Sequence, residues 1–186
     1  MIKPEKYVEF DDRTEFLSLL PKNSICAELG VLRAGFSYYI LKDTSPKKLY
    51  LVDPYWKSYG ENFYWNKKST WESFGYAVET IKKYDINKCS TFVIDTDINF
   101  LEDLSDNVFD WIYLDSTHTY EDTLKELEVI KLKVKEEGLI CGHDYTDNPK
   151  NRHAGVTKAI IEWLLKNKEY KLYLRDNYTQ WIIKKR

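Results

Sequence analysis

The run from Ile25 to Ser37 constrains the fold more than any other part of this chain. An apolar stretch ends in the acid Glu28, Gly30 follows it, and Gly35 opens a helical pattern. Glycines let a backbone come close to a ligand, and a helix N-terminus offers N–H groups that have no partner within the helix. This succession is typical of the first strand, turn and helix of an open α/β sheet that binds a nucleotide-like cofactor.

Strand and helix patterns alternate five times along the chain and are followed by two β-rich runs, about residues 170–174 and 179–183. Such alternation predicts an α/β fold, a Rossmann-like open sheet that is mostly parallel, with a C-terminal antiparallel hairpin and helices on both faces. A chain of 186 residues is most simply one domain. We expect residues 1–23 to form a short N-terminal helical extension and residues 24–186 to form this domain.

The composition disfavours several functional classes. Lys and Arg number 28 against 30 Asp and Glu, a formal net charge of −2, so no strong field favours nucleic acid or an anionic membrane. Three scattered cysteines are too few for a disulfide framework or a zinc knuckle. We recognise neither a signal peptide nor an apolar run long enough to span a bilayer. The sequence therefore predicts a soluble, cytoplasmic protein.

Acidic residues fall at or just past the ends of five predicted strands: Glu28, Asp53, Asp95, Asp115 and Asp144. Ligands of open α/β sheets bind beyond the carboxyl ends of the strands. Like charges gathered there require a cation or the hydroxyls of a ligand to balance them. A carboxylate at the position of Asp53 can accept hydrogen bonds from the ribose hydroxyls of a cofactor; a helix-capping or loop role is the alternative.

The spacing of the glycines bears on the identity of the cofactor. The run reads Glu-x-Gly-x-x-x-x-Gly, not the Gly-x-Gly-x-x-Gly motif that holds a pyrophosphate. One glycine in the turn offers less backbone to a diphosphate, and Glu28 would repel phosphate and attract a cation. S-adenosylmethionine carries a sulfonium and an ammonium but no phosphate, so it suits this pattern better than NAD or ATP.

Asp115 and Asp144 follow the fourth and fifth predicted strands. Adjacent strands lie about 4.8 Å apart, so we expect the two carboxylates within reach of one ion. Carboxylates, water and substrate oxygens suit a hard cation, Mg²⁺ first, with Mn²⁺ or Ca²⁺ as alternatives. The competing interpretation is a protonated or hydrogen-bonded pair of acids at a helix N-terminus.

Among the three histidines, His118 is the best candidate for a general base. It shares a loop with Asp115, and an imidazole titrates near neutrality, so it can accept a hydroxyl proton; a capping role is the alternative. His143 directly precedes Asp144, so strand alternation is expected to point its side chain away from the site. His153 opens the last long helix and is expected to be solvated.

The segment 54–71 is rich in aromatic residues and follows no clean period. It either covers the pocket and stacks on a sugar or an aromatic acceptor, forms an interface, or belongs to the core. Its aromatics and lysines are also typical of surfaces that bind single-stranded nucleic acid. The acids at the strand ends argue against that partner, so we expect no nucleic acid to bind.

Four segments together resemble the class I S-adenosylmethionine-dependent methyltransferases. Within that class they are similar to the small group that includes the macrolide-sugar (macrocin-type) O-methyltransferases. The resemblance runs from about residue 24 to the C-terminus. The segments are Ala27-Glu28-Leu29-Gly30-Val31 with Gly35-Phe36-Ser37, Val52-Asp53-Pro54, Leu114-Asp115-Ser116-Thr117-His118-Thr119-Tyr120-Glu121, and Gly138-Leu139-Ile140-Cys141-Gly142-His143-Asp144-Tyr145.

This resemblance implies a seven-stranded sheet whose last strand is antiparallel. It also implies that Asp53 holds the ribose of the cofactor and that the loop at Thr96 and Asp97 holds the adenine. The relatives often carry Gly-Asp-Ser where this chain has Asp95-Thr96-Asp97. Gly30, Gly35 and Ser37 would hold the methionine part of the cofactor, and the neighbouring residues Glu28, Val31 and Phe36 are further expected cofactor contacts.

The resemblance further implies that Asp115 and Asp144 hold Mg²⁺, with Asp115 also beside the cofactor, and that His118 acts as the base. The sequence thus predicts a metal-assisted O-methyltransferase that uses S-adenosylmethionine and methylates a hydroxyl of a small molecule such as a sugar. Two rival hypotheses are a protein that binds the cofactor without turnover, and a hydroxylase or nucleotide-sugar enzyme on this scaffold. A homo-oligomer is left open.

Overall fold

A computed structural model describes residues 2–60 and 69–186. The strands are β1 (Lys6–Val8), β2 (Ile25–Leu29), β3 (Lys48–Val52), β4 (Ser90–Val93), β5 (Phe109–Leu114), β6 (Val134–Gly142), β7 (Tyr170–Asp176) and β8 (Trp181–Lys185). The helices are α1 (Gly35–Thr44), α2 (Trp56–Tyr59), α3 (Thr70–Tyr84), α4 (Asp97–Glu102), α5 (Tyr120–Lys133) and α6 (Ala154–Lys166), with a 3₁₀ helix at Arg13–Leu19.

All these strands form one sheet in the order β1-β7-β8-β6-β5-β2-β3-β4. Strand β8 lies between β6 and β7 and runs antiparallel to both, whereas the other neighbouring strands pair in parallel. The predicted Rossmann-like α/β fold is therefore confirmed.

The predicted count of seven strands is wrong, because the described residues form eight. The additional strand is β1, which lies in the segment expected to be a helical extension. Its residues pair with β7 from Lys6 opposite Leu174 to Val8 opposite Asp176. An edge strand carries unpaired backbone groups, and three added residues satisfy some of those on β7. A run this short has no periodicity that a sequence pattern could reveal.

Helices cover both faces of the sheet, as predicted. On one face, α5 and α6 pack Leu127, Ile160 and Trp163 against the strands; on the other, Ile40 of α1 and Ala77 of α3 are buried. Helix α5 begins where expected, since the Thr119 side chain accepts a hydrogen bond from the backbone N–H of Asp122. No helix within residues 2–60 or 69–186 combines the length and the apolar character that crossing a membrane requires.

The order in which strands are added to the sheet reverses at β2. The chain passes from β2 to β3 and β4 on one side and then returns to add β5 and β6 on the other side. Ligands in such sheets bind beyond the carboxyl ends of the strands at this switch point. The register places Leu29 opposite both Val52 and Leu114, and Leu114 opposite Gly142. Four strands therefore end at one level, and their following loops meet.

Candidate active site

A cavity of about 690 Å³ opens at this switch point. Its volume lies within the range of roughly 300–1,000 Å³ that is typical of small-molecule sites. Most of the residues predicted to form the site line it: Glu28, Gly30, Val31, Gly35, Phe36, Asp53, Asp115, His118 and Asp144. The sequence therefore located the cavity correctly. Ser37, Thr96 and Asp97 are not among the lining residues.

Gly30 is required by the geometry of the loop after β2. Its φ is +91°, and a Cβ placed there would lie 2.0 Å from the backbone oxygen of Asp115. Only glycine allows this close approach, because any side chain would collide with that backbone. At Gly35, by contrast, a Cβ would meet nothing within 4 Å. A side chain at that position would project into open space at the cavity wall.

The Asp53 carboxylate fixes the loop between β2 and α1, residues 30–34, which we call the glycine loop. It accepts hydrogen bonds from the backbone N–H groups of Val31 at 3.1 Å, Leu32 at 2.9 Å and Tyr55 at 3.0 Å. Burial raises the pKa of Asp53, and these amides oppose the rise. Since a carboxylate has about four acceptor sites, one remains for a ligand. The predicted contact with ribose remains a prediction, and the loop role given as its alternative is present.

Glu28 is buried and accepts a short hydrogen bond from the Ser37 hydroxyl. Burial raises the pKa of Glu28 to about 8, while the hydrogen bond from Ser37 opposes the rise and the charge of Asp115 adds to it. A carboxyl group with this pKa is mostly neutral at pH 7 and ionises when a cation approaches. Ser37 therefore lies behind the cavity wall and positions Glu28, which lines the cavity.

The loop predicted to hold adenine lies outside the cavity lining. The Thr96 hydroxyl accepts the Asn99 backbone N–H at 3.3 Å and caps α4. Asp97 is 5% exposed, and burial together with the nearby Glu126 carboxylate raises its pKa well above the ordinary value. One oxygen of Asp97 has no hydrogen-bond partner within the described residues. Adenine contacts by Thr96 and Asp97 remain a prediction.

Glu126 is a buried acid that the sequence reasoning missed. It accepts hydrogen bonds from the hydroxyls of Ser116 at 2.9 Å and Thr117 at 3.4 Å, and so fixes the loop between Asp115 and His118. A signal was present in the sequence. Glu126 lies on the apolar stripe of α5 that includes Leu127 and Ile130, where a charged residue is unusual.

The Asp144 carboxylate contacts three histidines. The Nδ1 atom of His118 lies 3.0 Å from one carboxylate oxygen, and those of His153 and His143 lie 2.9 Å and 3.3 Å from the other. The rings of His118 and His153 stack in parallel with centroids 4.4 Å apart. The base candidate His118 therefore lies at the cavity wall, oriented by Asp144.

Two expectations about these histidines are wrong. His143 was expected to point away from the site, but β6 ends at Gly142 and Asp144 adopts a φ of +67°, so strand alternation no longer applies. His153 was expected to be solvated, but its side chain is 15% exposed and contacts Asp144. The loop before α6 brings it there, a tertiary contact with no local sequence signal.

The electrostatics follow from this clustering. Burial acts to raise the pKa of Asp144, but hydrogen bonds from the histidines dominate and hold it well below the usual range. For His143, burial acts to lower the pKa, whereas hydrogen bonds to Asp115 and Asp144 raise it to about 9. His143 is therefore a cation at neutral pH, between two carboxylates.

Arg13 is a further component that the sequence reasoning missed. Its Nη2 atom donates to Asp115 at 2.8 Å and to the Tyr113 hydroxyl at 3.0 Å. Its guanidinium also lies over the Phe36 ring, at 4.6 Å from the centroid. The residue belongs to the N-terminal segment, about a hundred positions before Asp115, and nothing in the sequence pattern pairs the two.

The donor atoms at this end of the cavity are mixed. Two groups bring ligand atoms within 4.8 Å of one another: His118 with Asp144 and His153, and Asp115 with His143 and Asp144. The predicted proximity of Asp115 and Asp144 is thus confirmed. Imidazole nitrogens suit Fe²⁺, Ni²⁺ or Zn²⁺, whereas Mg²⁺, Ca²⁺ and Mn²⁺ prefer oxygen ligands. Arg13 and His143 already balance the charge of Asp115, so this donor set does not fit Mg²⁺.

Part of the aromatic segment borders the cavity. Tyr55, Tyr59 and Thr70 line it, and the Trp56 and Trp71 rings stack 4.0 Å apart. Residues 61–68, with the aromatics Phe63, Tyr64 and Trp65, lie outside the described residues. The predicted cover over the pocket remains a prediction.

Several solved structures share this fold. An O-methyltransferase from Bacillus cereus in complex with SAH is 14% identical, with a TM-score of 0.67 over 94% of this chain and 80% of that one. An rRNA methylase from Streptococcus thermophilus is 13% identical, with a TM-score of 0.63 over 95% and 98%. TYW2 from M. jannaschii in complex with AdoMet is 15% identical, with a TM-score of 0.54 over 91% and 70%.

No curated protein sequence matches the chain significantly. A family model described as a methyltransferase domain matches residues 28–145, more than half of the chain. The matched range begins at the first strand-end acid, Glu28, and includes the glycine run, Asp53, Asp115 and Asp144. The chain therefore belongs to this methyltransferase domain family.

Proposed function

We propose that this methyltransferase methylates a hydroxyl oxygen of a small molecule, with His118 as the general base. The contact of 3.0 Å between the His118 Nδ1 and Asp144 carries the proposal. When Nδ1 donates its proton to Asp144, the neutral ring accepts a proton at Nε2. A hydroxyl needs such a base, because its own pKa lies far above neutrality.

We infer that S-adenosylmethionine is the methyl donor, and the acceptor oxygen would attack its methyl carbon. The O–H proton passes to His118 Nε2, the carbon–sulfur bond breaks, and the products are a methyl ether and S-adenosylhomocysteine. Asp144 stabilises the imidazolium that forms. His153, stacked on His118 and paired with the same carboxylate, holds the ring plane in place. Positioning of the two reactants within one cavity supplies the rest of the acceleration.

A hydroxylated sugar, as in the macrocin-type group, is the first acceptor to test. Tyr59 lines the cavity and is 39% exposed, so its ring offers a face on which a sugar ring could stack. Fold similarity does not identify the acceptor, since structural neighbours include both an O-methyltransferase and an rRNA methylase. The net charge of −2 and the acids in the cavity favour a small molecule over RNA.

Metal assistance by Mg²⁺, Mn²⁺ or Ca²⁺ at Asp115 and Asp144 is the part of the sequence hypothesis that the site supports least. Asp115 is already paired with Arg13, and Asp144 with imidazole nitrogens. We therefore route no step of the reaction through a metal. We expect turnover to persist in EDTA; activity lost in EDTA and restored by Mg²⁺ would reinstate the metal.

The test is transfer of a labelled methyl group from S-adenosylmethionine to a panel of sugars, phenols and small RNAs. We expect labelled product from a hydroxylated small molecule. His118→Gln should lower kcat by roughly 10²- to 10⁴-fold and leave the affinity for S-adenosylhomocysteine unchanged. His153→Gln is the matched control, a neighbouring imidazole whose loss should cost far less. A near-normal rate for His118→Gln at neutral pH would refute the base assignment, and product only from RNA would refute the acceptor class.

A further inference from the structure

Arg13 lies at the cavity wall. The 3₁₀ helix that carries it begins with Asp12, whose side chain accepts the Thr14 backbone N–H at 2.7 Å. The helix is anchored by Phe16 and Leu17, both fully buried. The guanidinium lies over Phe36, which directly follows Gly35 in the glycine run. Arg13 therefore faces the end of the cavity that the glycine loop forms.

The hydrogen-bonding capacity of Arg13 exceeds what the protein uses. A guanidinium has five N–H donors, and both hydrogen bonds to Asp115 and Tyr113 leave from Nη2. The Nη1 atom takes no part in these two bonds, and the Arg13 side chain is 33% exposed at the cavity wall. Nη1 can therefore donate to an acceptor on a ligand in the cavity.

The charges beside Arg13 match one kind of ligand group. Glu28 and Asp115 are acids at the cavity wall, and each interacts electrostatically with Arg13. A ligand that matches these charges carries an ammonium group, which the two acids attract, and a carboxylate, which the guanidinium attracts. An α-amino acid is the simplest ligand with both groups on one carbon, and S-adenosylmethionine ends in one.

We propose that Arg13 binds the α-carboxylate of the methionine part of the cofactor, while Glu28 and Asp115 face its ammonium group. The planar guanidinium is suited to a carboxylate, and the Phe36 ring keeps that plane oriented. Arg13 thereby makes the enzyme select nucleosides that end in an amino acid. This inference depends on the cofactor class and not on the acceptor hydroxyl or on His118.

The experiment compares three nucleosides by calorimetric titration: S-adenosylhomocysteine, its decarboxylated analogue, and 5′-methylthioadenosine, which lacks the amino acid altogether. The proteins are the wild type, Arg13→Gln, Arg13→Lys and, as a control for loss of one positive charge far from the cavity, Arg186→Gln. We expect Arg13→Gln to bind S-adenosylhomocysteine roughly 10- to 100-fold more weakly. Its affinity for 5′-methylthioadenosine should change less than about twofold.

The wild type should prefer S-adenosylhomocysteine to the decarboxylated analogue by a similar factor, and Arg13→Gln should lose that preference. Arg13→Lys, which keeps the charge without the fork, should show a smaller loss. Unchanged affinity of Arg13→Gln for S-adenosylhomocysteine, or an equal loss for all three ligands, would overturn the proposal. If Arg13→Gln fails to fold, the preference for the carboxylate in Arg13→Lys decides: an undiminished preference overturns the proposal and a reduced one supports it.

These outcomes are separable from those of the proposed function. An enzyme that binds S-adenosylhomocysteine through Arg13 but methylates no hydroxylated acceptor would refute the acceptor class alone. An enzyme that methylates a sugar but binds the cofactor equally well without Arg13 would refute this inference alone.

Discussion

The two ends of the cavity depend on different kinds of contact, backbone hydrogen bonds at one end and contacts between side chains at the other. At the cofactor end, backbone amides of the glycine loop converge on Asp53, and the residues involved lie within about 25 positions of one another. At the opposite end, the histidine end, His118, His143 and His153 come from separate loops and converge on Asp144. The residues of the cofactor end belong to a local sequence pattern. The residues of the histidine end are far apart in the sequence and come together only in the folded chain.

This comparison predicts that one chemical change will have different consequences at the two ends. Asp144→Asn and Asp53→Asn each neutralise one acid beyond a strand end. Asp144→Asn removes the group that fixes the His118 tautomer, so kcat should fall by roughly 10²- to 10⁴-fold with cofactor affinity nearly unchanged. Asp53→Asn opposes an amide donor to backbone N–H groups, so cofactor affinity should fall by roughly tenfold or more.

Steady-state kinetics on a confirmed acceptor and titration of S-adenosylhomocysteine measure the two effects on the same preparations. The variants serve as controls for each other, since both lose one negative charge from the cavity. The division between the two ends fails if Asp144→Asn mainly weakens cofactor binding or if Asp53→Asn binds S-adenosylhomocysteine as tightly as the wild type.

The glycines separate folding from binding within the cofactor end. Gly30→Ala would place a methyl group 2.0 Å from the Asp115 backbone oxygen at a positive φ, so we expect the free energy of unfolding to fall by about 2–4 kcal/mol. Gly35→Ala meets nothing within 4 Å and should leave stability within about 0.5 kcal/mol while weakening cofactor binding. Urea denaturation and ligand titration distinguish the two. Unchanged ligand affinity in Gly35→Ala would show that the space at Gly35 is not filled by the ligand, and equal losses of stability would contradict the contrast between the two glycines.

The same division explains what could be predicted from the sequence. Alternating patterns were sufficient for the α/β fold, because each strand and helix carries its own periodicity. Acids at strand ends were sufficient to locate the cavity, because parallel strands end at one edge. The three residues of β1 gave no such signal, and their pairing with β7 is a contact across more than 160 positions.

The histidine end could be predicted only in part, for a physical reason. His118 was identified because it shares a loop with Asp115. His153 approaches Asp144 from the loop before α6, and His143 turns inward because the backbone at Asp144 leaves the strand conformation. Arg13, which contacts Asp115, comes from the N-terminal 3₁₀ helix, far away in the sequence. Periodicity describes a regular backbone, so it fails where a strand ends and a residue adopts a positive φ.

Glu28 differs from the other acids of the cavity, because it lies at the cofactor end and is mostly neutral at pH 7. Burial raises its pKa to about 8, so binding a cationic cofactor at lower pH requires loss of a proton. Affinity for S-adenosylmethionine should therefore rise by up to about tenfold per pH unit as the pH rises from 6 towards 8. Above about pH 8 the α-amino group of the ligand loses its charge, so affinity should fall again. Glu28→Gln should lose the rise and keep the fall; the same rise in wild type and Glu28→Gln would show that Glu28 is not the titrating group.

His143 provides the corresponding test at the histidine end, where the titrating group is a cation between two acids. Its pKa is raised to about 9 by Asp115 and Asp144, against an ordinary value of 6.5. A raised histidine pKa contributes stability that is fully present below about pH 6.5 and is lost as the pH rises through about 9. We expect about 1 kcal/mol of this contribution to disappear between pH 7 and 10, because the other imidazoles and Arg13 continue to pair with the acids. Urea denaturation at both pH values, compared with His143→Gln, isolates this contribution from other groups that titrate above pH 9. A loss of equal size in His143→Gln would show that the histidine end, like the glycine loop, is stabilised by contacts that do not depend on this proton.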